Sequence, residues 1–463
     1  MDSPTPKNSA TQAVAEIREI IGGRLSTAPA VREQHGKDQT WNPGAPPDAV
    51  AFVHDTIEVQ KIVTICGKYG TPVIAYGTGT SLEGHFTAPF GGISIDLSAM
   101  NRILEVNASD LDCRVEAGVT RKQLNIHLRD QGLFFPVDPG ADASLGGMTA
   151  TRASGTNAVR YGTMRENVLN VTAVMADGSI IRTGSRARKS SAGYDLTRLM
   201  VGSEGTLGVI TEVALKLYGI PEAIVAAVCP FPSVEACCNA TITAIQMGLP
   251  VARIELVDAE HVKAFNAYSK LDLKVAPTLF LEFHGTIASA KEQAETFAAI
   301  AEDLGGGPFD WATKEEDRQK LWQARHDAFW ATKSLMPGKD AFATDVCVPI
   351  SRLAQCVTET QADLAANGLY GPIVGHVGDG NFHVVLFCDR ADADEVRRVK
   401  DVYGRLIDRA IAMGGTSTGE HGIGSGKVAY LEKEHGPALA FMRDIKRAFD
   451  PRNIMNPGKN AAI

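Results

Sequence analysis

The sequence has no run of about 18 or more consecutive apolar residues, which is what a helix needs to cross a bilayer. Residues 1–32 also lack the apolar region of a signal peptide, and their acidic side chains, Asp2, Glu16 and Glu19, argue against a transit peptide. We therefore expect a cytoplasmic protein with no integral membrane segment. Peripheral contact with the inner membrane stays open, because it needs only a surface patch.

The sequence also lacks clustered cysteines and a net positive charge. Its eight cysteines are scattered and form no C-x-x-C pair, so the sequence offers neither an iron–sulfur ligand run nor a zinc ribbon. Free thiols in a reducing compartment are the simplest interpretation. A formal net charge of -8 argues against nucleic acid as a partner. With 463 residues, 44% of them hydrophobic, the chain is expected to form two or more folded domains.

Two segments near the C-terminus concentrate histidine and glutamate among glycines, residues 375–383 and 418–424. Beta-prone runs flank Asp379-Gly380 in the first segment, and this pattern predicts a hairpin with a two-residue type I′ turn. Pairing that is symmetric about the turn sets His376 opposite His383, with Cβ atoms roughly 4.5 to 5.5 Å apart. With Glu420 as a third ligand, these residues would bind a catalytic divalent metal, which could be zinc, manganese or iron.

The alternative is that these residues are ordinary polar side chains on a hairpin and a glycine-rich turn. The density of chemically active side chains argues against it, since Asp379, Asn381 and His421 accompany the three proposed ligands. A nucleotide P-loop at Gly426-Lys427 is excluded, because the glycine required five positions earlier is His421.

A second informative region is a glycine-rich loop that follows a predicted strand at Pro72 to Ala75. The loop Gly77 to Ser81 presents consecutive backbone N–H groups and hydroxyls, which suit a pyrophosphate. It is not a Rossmann fingerprint, because Leu82 occupies the third glycine position. A plain tight turn is the alternative for this loop alone. Further glycine clusters between residues 136 and 163 favour a large dinucleotide that spans several loops.

Taken together, these segments resemble the FAD-dependent D-2-hydroxyacid dehydrogenase branch of the vanillyl-alcohol-oxidase superfamily. The resemblance extends from about residue 30 to Lys459. It is most specific at residues 202–211, 375–383, 419–424 and 456–459, and residues 344–353 are particularly similar to the cytochrome-type D-lactate dehydrogenases within that branch. The family implies an α+β fold. A PCMH-type FAD-binding domain of two α+β subdomains (residues 1–220) would precede an antiparallel-sheet cap domain for the substrate (221–415) and a C-terminal segment that returns to the flavin (416–463).

The resemblance also assigns cofactor-binding residues. Those matched to the pyrophosphate loop are Tyr76, Gly77, Thr78, Gly79, Thr80, Ser81 and Leu82. Those matched to the isoalloxazine and ribityl segments are Pro139, Gly140, Ser144, Gly146, Gly147, Ser154, Gly155, Tyr161, Gly162 and Thr163. Those matched to the adenosine-facing turn are Glu204, Gly208 and Ile210, and Asn456 matches a residue near the flavin. Some members of the superfamily attach FAD through a histidine in the pyrophosphate loop. Because Ser81 is the nearest equivalent, we expect non-covalent FAD.

For the substrate, the resemblance implies that Arg325 binds a carboxylate, for which the guanidinium fork is suited. Asn381 is a further substrate-binding candidate or a partner of the metal-binding imidazoles. In the hydroxyglutarate members a lysine meets a second carboxylate and a threonine assists it, and here Ala343 and Phe329 stand at those positions. The apolar replacements favour a monocarboxylate, with D-lactate as the leading candidate and glycolate or D-2-hydroxyglutarate as alternatives.

The implied reaction oxidises a D-2-hydroxy acid to the 2-oxo acid by hydride transfer to N5 of FAD, with His421 as general base for the hydroxyl proton. A cytochrome, a quinone or an electron-transfer flavoprotein would take the electrons. Two other classes stay open: a metal-dependent hydrolase or lyase without flavin chemistry, and a flavin-binding subunit without activity. A homodimer is a further open expectation.

Overall fold

A computed structural model describes residues 6–38, 43–312 and 314–463. The chain divides into two compact units. The first contains residues 1–154, 162–220 and 420–463, and the second contains residues 155–161 and 221–419. The short segment 155–161 therefore belongs to the second unit although it lies within the first 220 residues.

The first unit contains a small sheet covered by helices. The elements up to residue 96 are α1 (Pro6–Ile21), β1 (Leu25–Ser26), α2 (Pro29–Gln34), β2 (Ala49–Phe52), α3 (Thr56–Tyr69), β3 (Val73–Tyr76) and β4 (Ile93–Asp96). The strands form a four-stranded sheet in the order β1-β2-β4-β3, and β4 is parallel to both β2 and β3. Helix α3 begins at an Asp55 cap, and its buried Val59, Ile62 and Val63 join a core with the sheet.

A second, antiparallel sheet follows. Its region contains β5 (Ile103–Asn107), β6 (Asp112–Glu116), α4 (Arg121–Leu128), β7 (Leu133–Phe134), α5 (Leu145–Thr151), α6 (Ala158–Tyr161), α7 (Met164–Asn167), β8 (Val168–Met175), β9 (Ile180–Arg182), α8 (Leu196–Met200), β10 (Gly208–Lys216) and β11 (Tyr218–Gly219). The strand order is β5-β6-β10-β8-β9, and β7 pairs with β11. Beta-branched residues of β8 and β10 are buried in its core, as their pattern predicts. The predicted pair of α+β subdomains is confirmed.

The second unit is built on an eight-stranded antiparallel sheet. Its further elements are β12 (Ala223–Pro230), α9 (Val234–Gln246), β13 (Val251–Val257), α10 (Ala259–Ser269), β14 (Thr278–Gly285), α11 (Ile287–Asp303), β15 (Asp310–Ala312), α12 (Glu315–His326), α13 (Ala328–Ser334), β16 (Asp340–Ala343), β17 (Val346–Cys347), α14 (Leu353–Ala366), β18 (Ile373–Gly375), β19 (Asn381–Cys388) and α15 (Ala393–Ala412). The order is β15-β12-β14-β13-β18-β19-β16, with β17 also paired to β19.

Two helices of the second unit, α12 and α13, are separated by a single residue. Helix α12 ends at His326 and α13 begins at Ala328, because Asp327 leaves the helical conformation between them. Arg325 lies in the last turn of α12, where a cation is favoured by the helix dipole.

The chain ends in the first unit with α16 (Leu431–His435) and α17 (Ala438–Phe449). Beyond α17, Met455 forms a parallel bridge with Val73 of β3, and the Asn456 N–H donates to the Val73 carbonyl. The C-terminal segment thus returns to the small sheet of the first unit. Among the helices that the structure describes, none is long and apolar enough to cross a membrane.

Candidate active site

The hairpin that carries the histidine pair differs from its predicted register. Strands β18 and β19 pair Ile373 with Val384 and Val374 with His383, so His376 is not opposite His383 but begins the connecting loop. The two-residue type I′ turn is therefore wrong. Such a turn needs positive φ at both central residues, and of Asp379 and Gly380 only the glycine has it.

Despite the different register, the loop brings the two imidazoles together. The ring centroids of His376 and His383 lie 5.5 Å apart, with the ring planes at 84°. Nδ1 of His376 lies 2.8 Å from Oε1 of Glu255, and Nδ1 of His383 lies 2.8 Å from the Thr344 carbonyl oxygen. A carbonyl or carboxylate oxygen accepts from a proton on Nδ1, so in the neutral ring Nε2 carries the lone pair. A histidine whose Nδ1–H is bonded in this way binds a metal through Nε2, and the two rings fit a divalent metal.

Glu255 is also the partner of Arg325. Nη2 of Arg325 donates to Oε2 of Glu255 at 2.5 Å, and the Arg325 side chain is buried. Burial raises the pKa of Glu255, but His376 and Arg325 outweigh it and hold the pKa below its ordinary value. Glu255 thus links the predicted carboxylate-binding arginine, Arg325, to the predicted metal ligand His376, because each bonds to one of its two oxygens.

A second buried carboxylate, Asp345, holds the other side of the hairpin. The Asn381 carboxamide donates to Oδ1 of Asp345 at 2.8 Å and to the Val346 carbonyl at 2.7 Å. The Thr418 hydroxyl donates to Oδ2 of Asp345 at 2.6 Å, and Nδ1 of His383 lies 3.7 Å from Oδ1. Both N–H bonds of the Asn381 carboxamide are therefore directed at protein groups, which leaves its oxygen as the atom to meet a substrate. Its substrate-binding role stays a prediction.

Glu420 and His421 open the last segment of the first unit, so the predicted ligand set of His376, His383 and Glu420 is divided between the two units. Within the first unit, Nδ1 of His421 lies 3.7 Å from Oε1 of Glu83. The buried ammonium of Lys427 lies 3.2 Å from the same oxygen. A carboxylate beside the imidazole would stabilise the protonated form of a general base.

The predicted pyrophosphate loop follows β3 of the small sheet. At Gly77 an added Cβ would lie 2.3 Å from the Ser144 hydroxyl oxygen, so the pyrophosphate loop approaches the N-terminus of α5 closely. Gly79 has φ +68°, and the Thr78 and Thr80 hydroxyls lie 3.2 Å apart. Backbone N–H groups and hydroxyls in a loop of this kind fit a pyrophosphate. Ser81 and Leu82 complete the loop, and both are half-buried.

The predicted ring-facing residues are spread over both units. In the first unit, Gly146 and Gly147 lie in α5, and Gly146 packs against Ala117. Thr163, another predicted residue of this set, caps α7. The others in the first unit are Pro139, Gly140, Ser154 and Gly162. Gly155 and Tyr161 belong to the second unit. There the Tyr161 hydroxyl lies 2.8 Å from Nδ1 of His284. All these cofactor assignments stay predictions.

Glu204, which is predicted to face the adenosine half of FAD, lies in a buried polar cluster. Glu204 accepts hydrogen bonds from the backbone N–H groups of Ile423 and Gly424, and its Oε1 lies 3.5 Å from Nε2 of His85. The Asn456 carboxamide donates to the carbonyls of His85 and Glu204. Gly208 opens β10, and Ile210 is buried in the same strand. The cluster therefore positions the loop that follows His421, a role that the sequence did not indicate.

Glu255 was also missed, although a signal was present. In Val251 to Val257 the two charged residues, Arg253 and Glu255, stand two positions apart in an otherwise apolar strand. Period-two spacing places both on one face. Charges on one face of a buried strand require partners, and such residues are candidates for functional sites.

The comparisons with known proteins match this architecture. Residues 220–460 match the family model described as FAD linked oxidases, C-terminal domain, and residues 47–184 match an FAD binding domain. The chain belongs to the FAD-linked oxidases. Membership of this family confirms the resemblance read from the glycine-rich loops and the histidine segments, and it supports FAD as the cofactor.

Relatives of this FAD-linked oxidase extend over most of the chain. It is 53% identical to "Probable D-lactate dehydrogenase, mitochondrial" of Danio rerio, over 97% of this chain and 91% of the relative. It is 44% identical to "D-lactate dehydrogenase [cytochrome], mitochondrial" of Arabidopsis thaliana, over 97% and 80%. It is 34% identical to glycolate oxidase subunit GlcD of Bacillus subtilis, over 89% and 88%.

Solved structures share the fold at low identity. p-Cresol methylhydroxylase aligns with a TM-score of 0.83 at 18% identity, over 98% of this chain and 97% of the other. The 4-ethylphenol oxidase of Gulosibacter chungangensis aligns with a TM-score of 0.80 at 20% identity, over 98% and 97%. These likenesses confirm the predicted PCMH-type fold.

Proposed function

We propose that this oxidoreductase is an FAD- and metal-dependent dehydrogenase of D-2-hydroxy acids that converts D-lactate to pyruvate. The observation that carries the proposal is that Glu255 joins the buried Arg325 to His376, whose ring lies beside that of His383. The chain is also 53% identical to a relative named as a probable D-lactate dehydrogenase. Arg325 supports recognition of a carboxylate. The two imidazoles support a metal beside it.

In the proposed mechanism the chain supplies binding, orientation and proton transfer. Bound FAD would supply the hydride acceptor, and a divalent metal held by His376, His383 and Glu420 would supply Lewis acidity at the substrate oxygens. Arg325 would bind the substrate carboxylate and fix the 2-carbon. His421 would take the hydroxyl proton, and the neighbouring Glu83 carboxylate would stabilise the resulting imidazolium.

Substrate size is the finer part of the proposal. Ala343 ends β16 and Phe329 lies in α13, and neither offers a charge to a second carboxylate. A second substrate carboxylate would therefore be desolvated without a partner from these positions, which favours a monocarboxylate. Glycolate is the second candidate, because the chain is also 34% identical to a glycolate oxidase subunit.

We also propose a cytochrome as the electron acceptor, since relatives carry that word in their names. A quinone or an electron-transfer flavoprotein is the alternative acceptor. The same relatives are named mitochondrial, in contrast to the cytoplasmic location predicted for this chain, which stays a prediction. The homodimer also stays a prediction. A metal-dependent hydrolase or lyase without flavin is disfavoured by membership of the FAD-linked oxidases.

The test is anaerobic bleaching of the flavin absorbance. Purified protein is mixed with D-lactate, L-lactate, glycolate, D-2-hydroxybutyrate and D-2-hydroxyglutarate, before and after chelation of bound metal. We expect D-lactate to bleach the flavin fastest and the chelated protein to lose most of that rate. A yellow protein that no hydroxy acid bleaches would contradict the activity. An unchanged rate after confirmed metal loss would contradict the role of the metal.

A further inference from the structure

We propose that Glu255 is a positioning residue that fixes the metal ligand His376 and the substrate receptor Arg325 at the same time. The inference rests on the proposed function and deepens it, because it names the residue that holds both His376 and Arg325 in place for that function. Glu255 lies in β13, with its side chain buried.

The two oxygens of Glu255 have different partners. Oε1 lies 2.8 Å from Nδ1 of His376, and Oε2 lies 2.5 Å from Nη2 of Arg325. Both partners are donors, so both interactions need an acceptor at Glu255. A carboxylate offers an acceptor at each end, whereas a carboxamide offers an acceptor at one end and a donor at the other.

Burial makes the loss of either Glu255 interaction costly. The Glu255 carboxylate is 1% exposed, and the His376 and Arg325 side chains are 11% and 9% exposed. Water therefore has little access to replace a lost partner, and an unmatched donor keeps its full desolvation cost. If the His376 ring loses its acceptor at Nδ1, neither its tautomer nor its orientation is fixed. If Arg325 loses its acceptor, its guanidinium is free to leave the position in which it meets the substrate.

Glu282 provides a matched control in the neighbouring strand β14. Its carboxylate is also buried, its Oε1 lies 2.6 Å from Nε2 of His284, and Arg253 lies 3.6 Å away. It therefore repeats the histidine–carboxylate–arginine arrangement of Glu255 with different partners. A general effect of removing a buried carboxylate from this sheet would appear equally in both variants.

The experiment compares Glu255→Gln, Glu282→Gln and the wild type as flavin-loaded full-length proteins. Mn²⁺ affinity is measured by competition with a chromogenic chelator, and KM and kcat are measured with D-lactate. We expect Glu255→Gln to bind Mn²⁺ about 10- to 100-fold more weakly, the range for loss of a histidine's outer hydrogen-bond partner. We also expect its KM to rise at least about fivefold. Glu282→Gln should remain within about twofold of the wild type in Mn²⁺ affinity. Its KM does not serve as a control, because His284, the partner of Glu282, also contacts the predicted flavin residue Tyr161.

Flavin content and the melting temperature establish that each variant is folded. If Glu255→Gln loses its flavin, Glu255→Asp takes its place, because it keeps the charge and both acceptors but shortens the reach. Weaker Mn²⁺ binding by Glu255→Asp would then support the inference.

Two negative outcomes are distinguishable. Wild-type Mn²⁺ affinity and KM in the folded Glu255 variant would overturn the positioning role and leave the proposed function intact. A wild-type protein that binds no divalent metal would overturn both the inference and the proposed metal site.

Discussion

Glu204 accepts a hydrogen bond from the backbone N–H of Gly424, at 2.8 Å between Oε2 and the nitrogen. Its Oε1 accepts from the N–H of Ile423 at 2.7 Å. Burial raises the pKa of Glu204, but His85 and the two N–H groups outweigh it and hold the pKa below its usual range. One ionised carboxylate therefore anchors the backbone two and three residues after the proposed base His421.

This relationship predicts the effect of Glu204→Gln. The carboxamide can accept from one N–H group, and its NH₂ group then opposes the other. We expect a loss of about 2 kcal/mol in the free energy of unfolding, the scale of a lost hydrogen bond to a charged group. Because the loop that carries His421 would loosen, we also expect flavin reduction by D-lactate to slow by about tenfold or more. Denaturant unfolding and anaerobic stopped-flow kinetics measure the two effects.

Glu212→Gln is the control for this prediction, since Glu212 is a half-buried glutamate of the same unit that pairs with Arg114. If Glu204→Gln were no more destabilising than Glu212→Gln and reduced its flavin as fast as the wild type, the anchoring role would be refuted.

A glycine pair tests the pyrophosphate loop. Gly79 and Gly132 both have φ +68°, so alanine introduces the same backbone strain at each position. At Gly79 the added Cβ would lie 2.3 Å from the Tyr76 hydroxyl oxygen, whereas at Gly132 it would meet no atom within 4 Å. We expect Gly79→Ala to purify with less than about half of the wild-type FAD content and Gly132→Ala to retain it. Equal FAD content in the two variants, measured by absorbance after denaturation, would argue against this loop as the cofactor site.

The thiol pattern predicts one reactive cysteine. Cys347 is partly exposed and the other seven cysteines are buried. Burial raises the pKa of Cys113 to about 12 and that of Cys356 to about 11, so these thiols are poor nucleophiles. We expect a thiol reagent such as DTNB to label one site rapidly in the folded protein. Cys347→Ala should abolish that phase and Cys356→Ala should leave it unchanged. A rapid phase that survives Cys347→Ala would show that a buried thiol becomes accessible.

How far the sequence predicts the fold is clearest at the hairpin of the histidine pair. Its beta-prone runs correctly indicated two strands, but Asp379-Gly380 indicated the wrong register. Tertiary contacts decide the loop instead, since an added Cβ at Gly380 would lie 2.0 Å from the Val348 carbonyl oxygen and one at Gly378 would lie 2.6 Å from Val159. Turn propensity describes two residues, whereas packing against distant segments selects among loops of similar local energy.

The candidate site divides in the same way. His376, His383 and Arg325 were predicted as site residues from residue type and from the resemblance, because their chemistry is visible in the sequence. Glu255 and Glu204 were given no positioning role, because that role depends on partners 70 to 220 positions away. A carboxylate in a strand or turn has no local feature that names its distant donors. Its burial in an apolar strand is the one signal that was available at Glu255.

Lys459 predicts an unusual dependence of stability on alkaline pH. Its ammonium donates to the Thr87 carbonyl and to Oδ1 of Asn456, and burial, partly offset by Glu204, lowers its pKa to about 8. In the unfolded chain a lysine has a pKa of about 10.4, so between these values the unfolded state binds more protons. Stability from this group therefore rises with pH above about 8. We expect the free energy of unfolding of the wild type, relative to Lys459→Met, to increase by on the order of 2 kcal/mol from pH 8 to pH 10.

Replacement of the exposed Lys61 by Met serves as the control for loss of a lysine charge. A pH-independent difference between wild type and Lys459→Met would show that Lys459 does not titrate in this range.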